Sequence, residues 1–260
     1  MQGSDILNIS NKLNDARINA APVIQFSETY KDFDQTDAYE IQSIGIRHRE
    51  SLGEKVIGLK MGLTSKAKRE QMDLDSPLYG VLTDKMQIQN EGSFELSGTI
   101  HPKIEPEVAF FLNKDLEGDV SREDVIDACS SVCAALEILD SRYTQFKYFS
   151  MEDVISDNSS SSHFILGPKL ENFKELDLAN LKMDMLINGE VSQTGNSKAI
   201  SGDPVVSVIE QCKLLARRGE KLKAGSFVLA GAATAAVMLE PDMQVELNVE
   251  SLESVKVSIK

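Results

Sequence analysis

Through residues 1–55 the apolar positions recur at helical spacing. Ile6, Leu7, Ile9 and Leu13 predict one short helix, broken near Pro22. Asp37 is placed to cap a second, which carries Tyr39, Ile41, Ile44 and His48 and stops at Gly53. At Val56 the pattern changes. Residues 56–63 predict a strand, Thr64 or Ser65 then caps a short charged helix over 66–72, and Asp75-Ser76-Pro77 marks a turn. Farther on, 104–112 reads as a strand and 122–136 as a helix with Val125, Cys129, Val132 and Leu136 turned inward. A short strand over 163–166 ends at Gly167-Pro168, and a hairpin over 181–191 turns at Asn188-Gly189. A helix follows over 204–218, and strands over 227–230, 235–239, 245–249 and 255–259 close the chain. Strands and helices do not alternate as a βαβ series would, so the fold class is α+β, with a β-rich core and flanking helices. The change of period separates an N-terminal helical segment, 1–55, from a strand-rich remainder, 56–260, that holds the candidate chemistry.

Composition narrows the setting. At 260 residues, 42% of them apolar, the chain can bury one large core, alone or with a small appendage. No apolar run reaches the ~20 residues of a membrane span. The polar, acid-bearing stretch from Met1 to Asp15 is unlike a signal or transit peptide, so a cytoplasmic setting is expected. Three cysteines, Cys129, Cys133 and Cys212, are too few and of the wrong parity for a disulfide framework. Cys129 and Cys133, four apart, would share a helix face, either as small packing residues or as metal ligands, but nothing completes a zinc pattern. The formal charge of −14 repels nucleic acid and anionic membrane. It also obliges any site for an anionic substrate to supply local positive charge from a lysine, an arginine or a metal.

Three features can carry chemistry. In Ile104-Glu105-Pro106-Glu107-Val108-Ala109-Phe110, alternation points both glutamates to one face of a strand that continues into an apolar run. Neighbouring carboxylates there repel one another and lose hydration, which a hard divalent cation would relieve; the alternative is two surface acids on an edge strand. Glu137 is the sole charge in Ala134-Ala135-Leu136-Glu137-Ile138-Leu139, and is either a third ligand or one half of a salt bridge, with Arg142 or a lysine elsewhere. Lys60 lies between Gly58 and Gly62 on one strand face, either leaving room for a ligand to approach its ammonium or standing exposed. The polar run Asp157-Asn158-Ser159-Ser160-Ser161-Ser162 could line a site or be a plain loop. His48, His101 and His163 have no metal spacing, and no phosphate loop, nucleophile elbow or dinucleotide fingerprint is present.

Four segments together resemble the 2-keto-4-pentenoate hydratase and 4-oxalocrotonate decarboxylase family: Gly58-Leu59-Lys60-Met61-Gly62-Leu63-Thr64, His101-Pro102-Lys103-Ile104-Glu105-Pro106-Glu107, Ala135-Leu136-Glu137-Ile138-Leu139-Asp140-Ser141-Arg142-Tyr143 and Asp157-Asn158-Ser159-Ser160-Ser161. The resemblance implies a fumarylacetoacetase-like fold over 56–260, a homo-oligomer, and Mg²⁺ or Mn²⁺ held by Glu105, Glu107 and Glu137. It places Lys60 against a substrate carboxylate, with Asp157 and Ser160 near the substrate, a small unsaturated 2-oxo acid. Thr64-Ser65-Lys66-Ala67-Lys68, His101-Pro102-Lys103 and Asp140-Ser141-Arg142-Tyr143 with Phe146-Lys147 lean toward the decarboxylase branch. That branch implies decarboxylation of 2-oxohex-3-enedioate through a metal-stabilised dienolate, with an association with a partner enzyme of the same pathway as a further expectation. The alternatives are hydration of 2-hydroxypenta-2,4-dienoate and a catalytically idle metal-binding relative. Two departures from the family pattern, Asp203 in Gly202-Asp203-Pro204 and Ala232 in Gly231-Ala232-Ala233-Thr234, bear on the substrate.

Overall fold

The computed structural model describes residues 1–65, 69, 76–146 and 150–260. Two helices open it, α1 (Gly3–Asn19) and α2 (Gln35–Ser51). Strands β1 (Val56–Gly62), β2 (Leu78–Thr83), β3 (Gln87–Ile88), β4 (Gly92–Phe94) and β5 (Lys103–Leu112) follow. A short helix α3 (Arg122–Ala128) runs into β6 (Cys129–Leu139), and α4 (Met151–Ser156) precedes β7 (Ser161–Leu166). The hairpin β8 (Lys182–Ile187) and β9 (Glu190–Asn196) leads to α5 (Pro204–Ala216), then β10 (Phe227–Leu229), β11 (Val237–Met238), β12 (Gln244–Val249) and β13 (Val255–Ile259).

The strands form two sheets. One runs β2-β1-β10-β5-β6-β7-β3, with β11 also paired to β5; the other runs β4-β13-β12-β8-β9. The first sheet curls strongly. Leu82 of β2 and Phe164 of β7, far apart in strand order, share one buried cluster with Met86, Ala109, Cys133 and Phe227. Its outer face packs on the second sheet and on α5 through Val108, Phe110, Val132, Leu136, Val245 and Val208. The N-terminal helices close on the chain after β6, where Ile9, Leu13, Phe26, Ile41 and Tyr143 bury one another. Asp153, fully buried, pins this segment by accepting the Phe26 and Ser27 amides at 2.9 and 3.2 Å.

Most of the expected elements are present, and the differences have physical causes. The expected helix over 122–136 is a helix only to Ala128. From Cys129 the chain is the strand β6, inserted between β5 and β7 with both faces buried. Small and apolar residues at nearly every position fit either period, and two flanking strands decide for the extended form. Cys129 and Cys133 therefore do not share a helix face. A bulge opposite Phe111 and Leu112 turns Cys129 into the inter-sheet core and leaves Cys133 inside the curl. The cap of α2 is Asp34, whose Oδ1 accepts the Asp37 amide at 2.9 Å, while Asp37 binds the Met1 ammonium at 3.0 Å. The 235–239 strand shortens to β11. Strand β2 and helix α4 had no clear periodic signal, being short and packed on several sides. The helix over 66–72 lies outside the described residues apart from Arg69. At 188–189 the hairpin turn has positive φ at both Asn188 (53°) and Gly189 (84°), as its dipeptide predicts.

Candidate active site

Strand alternation puts Glu105, Glu107, Ala109 and Phe111 on the inner face of β5, and Cys133, Ala135 and Glu137 on that of β6. The register makes Glu105 and Glu137 direct cross-strand partners and sets Glu107 opposite Ala135. One oxygen from each of the three carboxylates lies within 4.8 Å of the others. The alternative of two acids on an exposed edge does not hold, because β5 lies in the middle of its sheet. Pro106 is tolerated there because pairing with β10 has ended at Ala109 and pairing with β11 begins only at Ile104; its carbonyl accepts the Ala233 amide at 3.0 Å in the gap.

Lys60 reaches this cluster from β1. Its Nζ lies 3.1 Å from Glu137 Oε1 and 3.2 Å from Oε2, with both residues almost wholly buried. Of the two alternatives for Glu137, the structure contains the salt bridge to a lysine, in the same place as the carboxylate cluster. Arg142 is engaged elsewhere, with Asp157. Glu107 is fully buried; its Oε2 accepts the Gly231 amide at 2.7 Å, and its Oε1 has no hydrogen-bond partner among the described residues. Gly231 has φ of 109°, and a Cβ there would lie 2.5 Å from Thr64 Oγ1, so only glycine lets this amide meet the carboxylate. Gly58 and Gly62 leave no open approach to Lys60. A Cβ on the first would strike the Phe227 ring at 2.6 Å, and on the second Leu78 and Ser159 at 2.8 Å.

The electrostatics follow from burial. Loss of hydration raises the Glu107 pKa well above the ordinary carboxylate range; the charges of Glu137 and Glu105 raise it further, and Lys60 and the Gly231 amide offset only part. Burial also raises Glu137, against the pull of Lys60. Three carboxylates whose oxygens lie within 4.8 Å of one another, two of them fully buried, concentrate negative charge that a divalent ion would offset. The unpartnered Glu107 oxygen and an all-oxygen donor set fit a hard cation such as Mg²⁺ or Mn²⁺.

A cavity of about 440 Å³ opens onto this cluster. Glu105 and Lys60 line it at one side, with Lys103, Leu139, Ser141 and Phe146 elsewhere on its wall. Lys103 lies two residues before Glu105 on the same strand face, its Nζ 4.2 Å from the centre of the Phe146 ring, and it makes no ion pair among the described residues. Ser159 and Ser160 also face the cavity, from a turn in which Asn158, Ser159 and Ser160 all have φ between 51° and 55°. Left-handed backbone at three consecutive non-glycine residues costs on the order of 1–3 kcal/mol each and has to be held by its surroundings. Asn158 supplies one hold, bonding both the amide and the carbonyl of Val81 on the open edge of β2 at 2.8 and 2.9 Å. Asp157 supplies another. It accepts Ser160 Oγ at 3.2 Å and binds the Arg142 guanidinium, beneath the cavity rather than on its wall. Burial raises its pKa to about 6, against the pull of Arg142.

The structure thus brings Lys60, Glu105, Glu107, Glu137 and Ser160 together and sets Asp157 behind Ser160. Lys103 stood in the sequence only within the decarboxylase-like segment His101-Pro102-Lys103, with no role assigned; its place two residues before Glu105 on a strand was the available signal. Ser141 and Phe146 stood only within segments that leaned toward the decarboxylase branch, with no role of their own. Asp203 is remote from the cavity: it caps α5 by accepting the Val205 amide at 2.9 Å and pairs with Arg122 at 2.9 Å. Ala232 does line it.

The family model described as fumarylacetoacetate (FAA) hydrolase C-terminal matches residues 61–260, and the chain belongs to this family. A 4-oxalocrotonate decarboxylase from Pseudomonas sp. is 43% identical over 222 residues, 85% of this chain and 86% of that one. A 2-keto-4-pentenoate hydratase from Paraburkholderia xenovorans is 33% identical, over 95% of this chain and 92% of the relative. Among solved structures, 4-oxalocrotonate decarboxylase from Pseudomonas putida G7, complexed with magnesium and adipate, superposes with a TM-score of 0.95 at 36% identity, covering 100% of this chain and 99% of that one.

Proposed function

We propose that this chain is a lyase that decarboxylates 2-oxohex-3-enedioate to 2-hydroxypenta-2,4-dienoate with the help of Mg²⁺ or Mn²⁺. The carrying observation is the juxtaposition of the Glu105, Glu107 and Glu137 cluster with two lysines, Lys60 and Lys103, around one cavity. The likeness to decarboxylases at higher identity than to hydratases supports the same reading.

In the reaction, the bond between C5 and the C6 carboxylate breaks and CO₂ leaves. The electron pair moves through C4 and C3 to the 2-oxo oxygen, giving a dienolate that takes one proton to become the dienol. A divalent ion held by the three glutamates supplies the Lewis acidity that this developing charge requires. Lys60, fixed by Glu137, places a positive charge beside the C1 end of the substrate and orients it. Lys103 is the cation placed to meet the second carboxylate, the one that a monocarboxylic dienol lacks. Leu139 and Phe146 give the cavity apolar walls that limit water around the reacting carbons. Ser160 offers a hydroxyl to the substrate. Asp157 is a positioning residue, holding Ser160 and Arg142 in the strained turn. The weaker reading, a hydratase, would use the same enol chemistry without needing Lys103.

Assembly as a homo-oligomer is part of the proposal. Ile18 and Ile24, each more than half exposed, are apolar surface available for such a contact. No helix among the described residues is long and apolar enough to cross a membrane, and we take the enzyme to act in the cytoplasm. The test is CO₂ release from 2-oxohex-3-enedioate by metal-stripped protein, with and without added Mg²⁺. Release that depends on the metal supports the reading. Hydration of 2-hydroxypenta-2,4-dienoate without CO₂ release would replace it.

A further inference from the structure

Away from the catalytic cavity, three arginines from three parts of the chain converge: Arg17 on α1, Arg49 on α2 and Arg142 after β6. They share the wall of an open cleft of about 540 Å³, which also takes in Lys85, the loop Ser97-Gly98-Thr99 and His163. In a chain of net charge −14 such a concentration of positive charge stands out.

Two of the three guanidiniums are matched internally. Arg49 Nε donates to Glu54 at 2.8 Å and its Nη2 to Thr83 Oγ1 at 3.3 Å, and Arg142 is taken up by Asp157 and by the carbonyls of Asp140 and Ser161. Arg17 differs. Its Nη2 donates to Asn14 at 2.9 Å, and among the described residues no carboxylate lies within ion-pair reach of it. The other acids of the cleft are occupied or remote. Asp140 accepts the Ile100 and His101 amides, Glu54 also accepts the Thr83 hydroxyl, and Glu95 is exposed and pairs with none of the arginines. His163 faces the cleft with its Nδ1 against Ser162 Oγ at 2.9 Å. Burial, with Arg49 and Arg142 as like-charged neighbours and only Glu54 pulling the other way, lowers the Arg17 pKa to about 10. A half-buried guanidinium beside two others calls for an anion.

We propose that Arg17 and Arg49 form a second, non-catalytic site for a small oxyanion, a phosphate or carboxylate group held chiefly by the Arg17 guanidinium, with the Nη1 of Arg49 beside it. Arg142 forms the floor, with four of its five guanidinium donors taken up by the Asp157 carboxylate and by the carbonyls of Asp140, Ser161 and Asp157. The site is independent of the catalytic reading, since it uses none of the residues that line the catalytic cavity.

Inorganic phosphate, titrated at constant ionic strength into the full chain loaded with Mg²⁺, tests this by calorimetry and by Tm. Saturable binding with a rise in Tm is expected for the wild type and for Lys60→Met, which disturbs only the catalytic cavity. Arg17→Gln should weaken it at least tenfold. Arg17→Lys, which keeps the charge but loses the planar fork, should fall between. A wild-type response no larger than that to chloride, or an equal response in Arg17→Gln, overturns the proposal. So does a phosphate-silent protein whose assembly dissociates on Arg17→Gln, since the cations would then serve a carboxylate of a second copy.

Discussion

Lys60 on β1 and Glu137 on β6 meet at 3.1 Å although β10 and β5 lie between their strands in the sheet. Only the curl of the sheet permits this, because flat neighbours three strands apart would stand about 14 Å from each other. The ion pair therefore spans the inside of the curl, and it sits beside the two glutamates of β5.

Removing one of those glutamates should separate metal binding from stability. Glu107→Gln deletes a buried carboxylate that lacks a full set of partners, so the metal-free protein should gain about 1 kcal/mol or more of stability, read as a higher urea midpoint at unchanged slope. Mg²⁺ affinity should fall by more than about 100-fold, since a ligand is lost rather than one of its supports. Calorimetric titration and urea unfolding of the same variant check both signs; lower stability with intact Mg²⁺ binding would count against the ligand role.

Metal affinity should depend steeply on pH. Burial raises the pKa of Glu107 and Glu137, so the metal-free protein holds protons that the ion must displace. Affinity is predicted to rise with pH by up to about one decade per unit for each proton released, starting above the ordinary carboxylate range. Without metal the sign reverses: raised carboxylate pKa values favour the folded state at low pH, and that contribution disappears as pH rises through them. A flat Mg²⁺ affinity between pH 5 and pH 8 would contradict this.

Lys60→Met should leave Mg²⁺ binding intact or tighter, because it removes a cation from beside the ligands. Turnover should drop by roughly 100-fold or more, about 3 kcal/mol of lost charge stabilisation. Parallel loss of metal binding would mean that Lys60 serves only the fold of the cluster.

Lys103→Gln should raise KM for the dicarboxylic substrate about tenfold, the equivalent of ~1.4 kcal/mol. Inhibition by a monocarboxylic 2-oxo acid such as 2-oxopentanoate should not change. Equal weakening of both ligands would assign Lys103 to the metal end of the cavity.

His163 should contribute to acid unfolding. Burial lowers its pKa to about 4, with Arg49 and Arg17 adding repulsion. A depressed folded-state pKa gives stability that is present above the unfolded value of 6.5 and lost as pH falls through about 4. The loss amounts to about 3 kcal/mol at ~1.36 kcal/mol per unit. His163→Gln should flatten that part of the stability profile, measured by urea unfolding between pH 4 and pH 7.

The sequence by itself determined what alternation and local chemistry can express. Period two put Glu105 and Glu107 on one face of a strand, Asn188-Gly189 marked its turn through positive φ, and a lone charge in an apolar run marked Glu137 as a residue that needs a partner. The resemblance supplied the family and the ligand set. Tertiary structure alone decided the rest. Residues 129–139 fit helix or strand equally by pattern, and only burial between β5 and β7 made them extended and brought Glu137 opposite Glu105. Nothing local ties Lys60 to a carboxylate 77 positions away, or Arg142 to Asp157 rather than to Glu137. Asp203, which looked like a change in the site, is a helix cap once α5 is in place. The physical reason is common to all of these: backbone periodicity fixes which way a side chain points, whereas the desolvation and charge that set its chemistry come from segments far away in the chain.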